Sequence, residues 1–343
     1  MFTKFHAPIA STLTTFDEKF KFLVDSDFPM LKEISAHVFH TKGKQLRPLL
    51  LFYIYKLFKE EISESAYLAA SLIEILHASS LIHDDVVDMA DTRRGNPSVR
   101  FLWGNKAAIL AGDYMLSNAF LKAYDHSDTR LMVFMVEVIR QMSEGELIQL
   151  EYTANPAITE DIYYQIIERK TAALFACCCR CGAHAAGASD EEILLAQNLG
   201  KNIGLAFQIQ DDLLDLNLRV SAGKAYGNDL REGKITLPVL YYLRQASPKE
   251  RNELWSILQS TSTKSVDSKE LNETIEYIIK KINLSGVEAD CLAQVDKFKE
   301  LALLNFQKLN CPSPMVYDLI SWICTTYKSA SLCEPTIAQE QAF

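Results

Sequence analysis

The chain has 343 residues, 48% of them hydrophobic and 23% charged, with only 13 glycines and 10 prolines. This composition excludes global disorder, a collagen-like repeat and a disulfide-dense miniprotein, and so few chain breakers favour long helices over many turns. A formal net charge of −9 excludes the global basic field of a nucleic-acid-binding protein, leaving only local basic clusters to hold phosphates.

In chain order, Met1-Phe2-Thr3-Lys4-Phe5-His6 lacks the charged-then-apolar run of a signal peptide, and the first dozen residues are expected to be partly loose. Residues 40–44 read as a loop, and Pro48 suits the first turn of the helix that follows. Leu68, Leu72, Ile75, Ser79, Ile82 and Val86 fall on one helical stripe. Arg93-Arg94-Gly95-Asn96-Pro97-Ser98 reads as a loop. Helical spacing resumes over 131–153 and 161–179, separated by a loop at 154–159, and further loops are expected at 221–229 and 260–268. Strand alternation bounded by turn pairs is not found, and neither is a run of about eighteen uncharged apolar residues. The expectation is an all-α fold of about a dozen helices, one domain over 1–331 with a frayed polar tail over 332–343. Four of the eight cysteines crowd together as Cys177, Cys178, Cys179 and Cys181. They point around a helix in different directions and read as small packing residues, reduced in a cytoplasmic protein.

Asp84-Asp85-Val86-Val87-Asp88 returns 127 residues later as Asp211-Asp212-Leu213-Leu214-Asp215. On a helix, the first and last aspartates of each cluster share a face, with about 5–6 Å between Cβ atoms, where like charges are destabilising. Both segments are strongly apolar, so the carboxylates would be desolvated and in need of positive charge. One such cluster is equally consistent with a solvated acidic face; two, both in apolar context, are not. Hard oxygen ligands select Mg2+, Ca2+ or Mn2+, and Mg2+ commonly takes one or two carboxylates and completes its shell with substrate phosphates.

Basic residues accompany the clusters in order. Lys44 and Arg47, in Gly43-Lys44-Gln45-Leu46-Arg47-Pro48, would flank a helix N-terminus, where amide N–H groups favour anions. His77 lies two turns before Asp84 on the same face. Adjacent Arg93 and Arg94 can fork onto different phosphates. Lys170-Thr171 lies in an apolar helix, where a lysine is costly without an anion. Lys224 and Lys234 follow the second cluster and read equally well as solvated loop lysines.

Together these residues resemble the trans-isoprenyl diphosphate synthase family, in particular its long-chain polyprenyl diphosphate synthases. The resemblance covers residues 40–240 and adds Gly112-Asp113, Glu144-Gly145-Glu146, Gln208-Ile209-Gln210 and Gly227-Asn228-Asp229-Leu230-Arg231-Glu232-Gly233-Lys234. It implies an all-α bundle around a deep central cavity, usually a homodimer, that joins isopentenyl diphosphate to an allylic diphosphate. By the same resemblance, Asp84, Asp88 and Asp211 would hold three Mg2+, with Asp85, Asp212 and Asp215 in support. Lys44, Arg47, His77 and Arg94 would hold isopentenyl diphosphate; Arg93, Lys170, Thr171, Gln208, Lys224 and Lys234 would hold the allylic diphosphate. Thr41-Lys42 departs from the glycine-rich stretch many members carry ahead of Gly43.

Ser79 and Ser80, one turn before Asp84, are small where members with short products often carry aromatics, so a product of thirty to forty carbons is expected. Met135, beside Phe134, would stop its tail, with Ala123 as an open position; Met135 reads equally well as core filler. A class I terpene cyclase would share the first cluster but needs neither the second nor Lys44, Arg47 and His77. A non-catalytic partner subunit tends to lose the aspartates, and here all six remain. Nucleic acid is not an expected partner, and transient membrane contact would serve only product release.

Overall fold

Helix ends are written locally. Ser63, Asp128, Thr159, Ser189 and Ser313 each accept the backbone N–H three residues on, and Ser189 with Glu192 forms a full capping box. The computed structural model describes residues 3–40, 45–93, 95–125, 128–217, 227–261 and 269–325. Among these the helices are α1 (Thr3–His6), α2 (Ala10–Val24), α3 (Pro29–His40), α4 (Leu46–Tyr55), α5 (Glu64–Val87), α6 (Val99–Asp125), α7 (Thr129–Tyr152), α8 (Glu160–Ile167), α9 (Ala173–Ala185), α10 (Asp190–Asp215), α11 (Asn228–Arg231), α12 (Leu237–Gln245), α13 (Pro248–Thr261), α14 (Lys269–Leu284), α15 (Val287–Lys308) and α16 (Pro314–Ile323).

The all-α expectation holds, with two one-turn helices, α1 and α11, that periodicity does not reveal. Two local readings are corrected. The expected loop at 93–98 contains three of the four residues of a minimal antiparallel ladder, in which Thr92 pairs with Pro97 and Arg93 with Asn96. The first dozen residues are packed from Thr3 onward: Phe5 and Ile9 are buried, and the Tyr53 hydroxyl donates to the Phe5 carbonyl at 2.8 Å. Their apolar spacing crosses the break between α1 and α2, which hid the pattern. α5 is long and apolar enough to cross a membrane, interrupted by Glu74; here 67% of its most apolar stretch is buried inside the protein. Most of loops 40–44, 221–229 and 260–268, and the tail, lie outside the described residues, while Asn228 and Asp229 belong to α11.

α5, α9 and α10 form the centre, α5 packing on α4 and α6 and α10 on α9 and α15. α5 buries residues on nearly every side, as a helix apolar all round must. α9 and α10 meet at glycines: a Cβ on Gly204 would stand 2.5 Å from Ala172 Cα, and one on Gly200 would stand 2.4 Å from the Phe175 carbonyl oxygen. That approach sets the aspartate end of α10 against residues 168–172, which form one π-helical turn. Cys178, Cys179 and Cys181 of α9 are fully buried, Cys179 against Gly200, and burial pushes all three thiols up, so they pack as small hydrophobes.

Replacing Gly204 with Ala forces a methyl into backbone, so the change should cost about 1–3 kcal/mol. A urea unfolding curve should show a lower midpoint at unchanged slope; an unaltered midpoint would mean that α10 can shift freely.

Candidate active site

The first aspartate cluster closes α5. Asp84 and Asp85 occupy its last turn, and Asp88 is its C-cap, one residue beyond the helix. Asp88 keeps right-handed backbone angles and donates its N–H to the Asp84 carbonyl at 2.8 Å, so the expected i,i+4 geometry survives. Met89 then turns left-handed at φ 53°, and the Ala90 N–H reaches the Asp85 carbonyl at 2.9 Å, a Schellman closure made without glycine. The chain enters the short ladder, and Arg93 folds back to give both Nε, at 2.8 Å, and Nη2, at 2.5 Å, to Oδ1 of the buried Asp85.

The second cluster closes α10. Asp212 is buried, accepting the Tyr163 hydroxyl at 2.6 Å and Gln208 Nε2 at 2.8 Å, while the Thr171 hydroxyl donates to Gln208 Oε1 at 2.6 Å. Asp215 accepts the N–H groups of Asn228 at 3.0 Å and Asp229 at 3.1 Å, which seats the segment after it. Lys234 runs from that segment to the first cluster: its N–H donates to the Asp229 carbonyl at 2.7 Å, and its ammonium pairs with Asp88 at 3.3 Å and with Glu232. Lys170, from the π turn, pairs with Glu146 of α7 at 2.5 Å. The turn can lie against α7 because Gly145 has no side chain; a Cβ there would stand 2.8 Å from the Lys170 amide.

The electrostatics are dominated by excess negative charge in a desolvated space. Burial raises the Asp84 carboxyl to about 6, with Lys170 opposing and Glu146 and Asp88 adding to the rise. Burial, then Asp212 and Asp215, raises Asp211 to about 7. Asp212 goes to about 6 by burial, held down by the bonds from Tyr163 and Gln208. Asp229 and Glu232 are also raised by burial. Burial alone would lower Lys234, but Glu232 and Asp88 raise it well above an ordinary lysine. The C-terminal ends of α5 and α10 add their negative dipole ends to the same space.

Hard, acidic oxygen donors suit Mg2+. Among the described residues no three acidic, histidine or cysteine side chains converge on one point. Each cluster therefore offers part of a shell, which water and an anionic ligand would complete.

Two cavities flank the carboxylates. One, about 1090 Å³ including its open mouth, is lined by His77, Arg93, Asp85 and Asn96. The other, about 620 Å³, is lined by Lys170, Thr171, Gln208, Asp212, Asp229 and Lys234. The structure thus places His77 and Arg93 on one cavity and Lys170, Thr171, Gln208 and Lys234 on the other, whereas the resemblance groups Arg93 with the second set. Arg47, in the first turn of α4, lies over the Phe175 ring at 5.4 Å to its centre. Lys44, Arg94 and Lys224 lie outside the described residues. Ser79 is fully buried and donates to the Gly112 carbonyl at 2.6 Å; Ser80 is half-buried and donates to the His77 carbonyl at 2.8 Å. Ala123 on α6 and Met135 on α7 are buried, and Phe134 lies under the Arg180 guanidinium at 3.7 Å.

Sequence reasoning assigned no role to Tyr163, Glu146, Asp229 or Glu232. The last three stand inside segments it had marked, so polarity next to a motif was a usable signal. Tyr163 carried none, lying 49 residues from its partner Asp212.

A family model described as polyprenyl synthetase matches residues 28–278. The chain is 39% identical over 241 residues to a short chain isoprenyl diphosphate synthase of Methanothermobacter thermautotrophicus, covering 69% of this chain and 74% of that one. It is 35% identical over 228 residues to the octaprenyl diphosphate synthase of Escherichia coli, covering 66% and 70%. In three dimensions it is similar to a decaprenyl diphosphate synthase from Rhodobacter capsulatus, with a TM-score of 0.82 at 29% identity, covering 94% and 98%.

An aspartate titrates at about 3.9 when unfolded, whereas Asp84 and Asp211 hold their protons to about 6 and about 7. The folded protein therefore binds more protons than the unfolded chain across that window, and its stability falls as pH rises through it. The melting temperature of the metal-free protein should drop from pH 4.5 to 7. Added Mg2+ should raise it more at pH 8, where the carboxylates are ionised, than at pH 5. A metal-free melting temperature that climbs over the window would contradict this charge balance.

Proposed function

Because the chain belongs to the polyprenyl synthetase family, a family of transferases that are generally Mg2+-dependent, we propose that it joins isopentenyl diphosphate head to tail to an allylic diphosphate. Pyrophosphate is released, and repeated addition builds a long all-trans polyprenyl diphosphate. The observation that carries this reading is the pair of desolvated aspartate clusters, with Lys234 running from the segment seated on Asp215 to Asp88, and a cavity beside each cluster whose lining includes basic side chains.

In this reading Lys170 and Lys234 exchange their carboxylate partners for the allylic diphosphate, and Gln208 adds an amide donor. Asp84, Asp88, Asp211 and Asp215 would hold Mg2+, which when bound neutralises the leaving diphosphate so that the allylic C–O bond can ionise. His77 holds isopentenyl diphosphate across the cleft with Arg94, Lys44 and Arg47. Arg93 belongs to the allylic set and reaches the diphosphate from its seat on Asp85. The double bond of isopentenyl diphosphate attacks the carbocation, and the proton then lost goes to the departing pyrophosphate. Apolar helix faces around both clusters keep water from quenching the cation.

The long product rests on the small residues before Asp84. Ser79 is committed to the α5–α6 contact, so half-buried Ser80 is the ruler position, with Met135 deeper as the floor. A homodimer is favoured by exposed apolar residues in register: Leu110 and Leu121 on α6, and Val133, Val136, Leu147 and Leu150 on α7, with Leu110 and Leu147 each 66% exposed. Transient membrane contact would serve release of so apolar a product from a cytoplasmic enzyme.

Given farnesyl diphosphate and labelled isopentenyl diphosphate, the protein should make Mg2+-dependent products longer than twenty carbons, abolished by EDTA. Asp84→Asn or Asp211→Asn should lower kcat/KM about a hundred- to a thousandfold, and Ser80→Phe should shorten the product. Products that stop at fifteen or twenty carbons would keep the reaction and discard the ruler; no elongation with any primer would discard the reaction. In sedimentation, Leu110→Glu combined with Leu147→Glu should convert a dimer to monomer, and an unchanged species would discard that face.

A further inference from the structure

We infer that Tyr163 on α8 is a positioning residue for the allylic half of the site, acting through Asp212 on Gln208 and Thr171. This rests on the prenyltransfer reading above.

The four side chains form one hydrogen-bonded chain. Tyr163, 2% exposed, donates its hydroxyl to Asp212 Oδ2 at 2.6 Å. Gln208 Nε2 donates to Asp212 Oδ1 at 2.8 Å, and the Leu237 N–H also reaches the carboxylate. Thr171 donates its hydroxyl to Gln208 Oε1 at 2.6 Å. An ionised carboxylate accepts only, so the Gln208 amide must turn its NH2 towards Asp212 and its oxygen towards Thr171. That orientation leaves one amide N–H of Gln208 for a ligand, in the cavity it shares with Lys170 and Lys234. Tyr163 and Gln208 each hold one oxygen of Asp212, which fixes the plane of the carboxylate and hence the direction of the amide.

Asp212 is thereby an anchor, with both oxygens bonded to side chains. Asp85 stands in the same relation to Arg93, so in each cluster the middle aspartate faces inward and holds a cleft residue. Tyr163 reaches Asp212 from α8, whose end runs directly into the π turn carrying Lys170 and Thr171. One oxygen atom therefore ties the aspartate helix, α10, to the element presenting the cationic side of the cavity.

Tyr163→Phe removes that oxygen and keeps the ring, which packs edge-on against Tyr164 at 5.4 Å. A lost bond to a charged group should raise KM for farnesyl diphosphate about tenfold, while KM for isopentenyl diphosphate stays within about twofold. In a Gln208→Ala background the same change should add less than about twofold, because the tyrosine acts through the glutamine. Equal rises in both KM values, a fall in kcat alone, or full additivity with Gln208→Ala would overturn the inference. If Tyr163→Phe is too unstable to assay, Asp212→Asn breaks the same chain one link on and should give the same allylic-selective rise; a non-selective loss would overturn it. Wild-type enzyme assayed alongside separates the two levels. An active wild type with a non-selective variant overturns only the role of Tyr163, whereas a wild type that elongates no primer overturns the prenyltransfer reading and the inference with it.

Discussion

The structure is organised around a local imbalance of charge. Two apolar helices each end in aspartates, and both ends open onto one desolvated space. Asp84 and Asp211 are held there with their carboxyls at about 6 and about 7, chiefly by burial. Carboxylates in such a place are expensive, and the C-terminal dipole ends of α5 and α10 make them more so. A fold optimised for stability alone would not bring them together. Cations offset part of the cost, Lys170 pairing with Glu146, Lys234 with Asp88 and Arg93 with the buried Asp85. A bound divalent cation with a diphosphate would offset the remainder, so the strain of the free site and its affinity for ligand share one origin.

The rest of the architecture holds that imbalance in place. α9 and α10 approach closely at Gly200 and Gly204, bringing the second cluster against the π turn that presents Lys170 and Thr171. A π turn shifts the register of side chains within an otherwise regular helix, a common arrangement at working sites. Gly145 lets α7 lie against the same turn, so Glu146 reaches Lys170. On the other side, the Schellman closure at Met89 and the two-residue ladder return Arg93 to Asp85. Ser98 and Arg100 clamp this return, donating to the carbonyls of Ala90 and Met89 at 2.6 Å each. The buried cysteines of α9 belong to this packing and need no chemistry of their own.

The outcome at individual residues separates what a motif carries from what it does not. The aspartates were placed correctly because i,i+4 spacing is a property of the helix itself, and it survives even though Asp88 caps the helix. His77 and Arg93 line one cavity and Lys170, Thr171, Gln208 and Lys234 the other, a grouping that no local pattern in the chain displays. Arg47 is different: its helix-start position was legible, yet its guanidinium lies over Phe175, a contact between helices remote in sequence. Ser79 reads as an open position along α5, but its neighbour across the interface is the carbonyl of Gly112, which occupies its hydroxyl.

By itself the sequence determined the class of fold, the location of both acidic helix ends, the basic residues set to answer them, and the family to which these belong. All follow from short-range rules of periodicity, capping and local charge, or from motifs contiguous in the chain. Only the tertiary structure decided which cations meet which carboxylates, that Lys234 reaches Asp88 of the first cluster, and that Tyr163 reaches Asp212 from 49 residues away. Those facts depend on how closely helices approach and how deeply carboxyl groups are buried. Both are set by packing between distant segments, to which local spacing is blind.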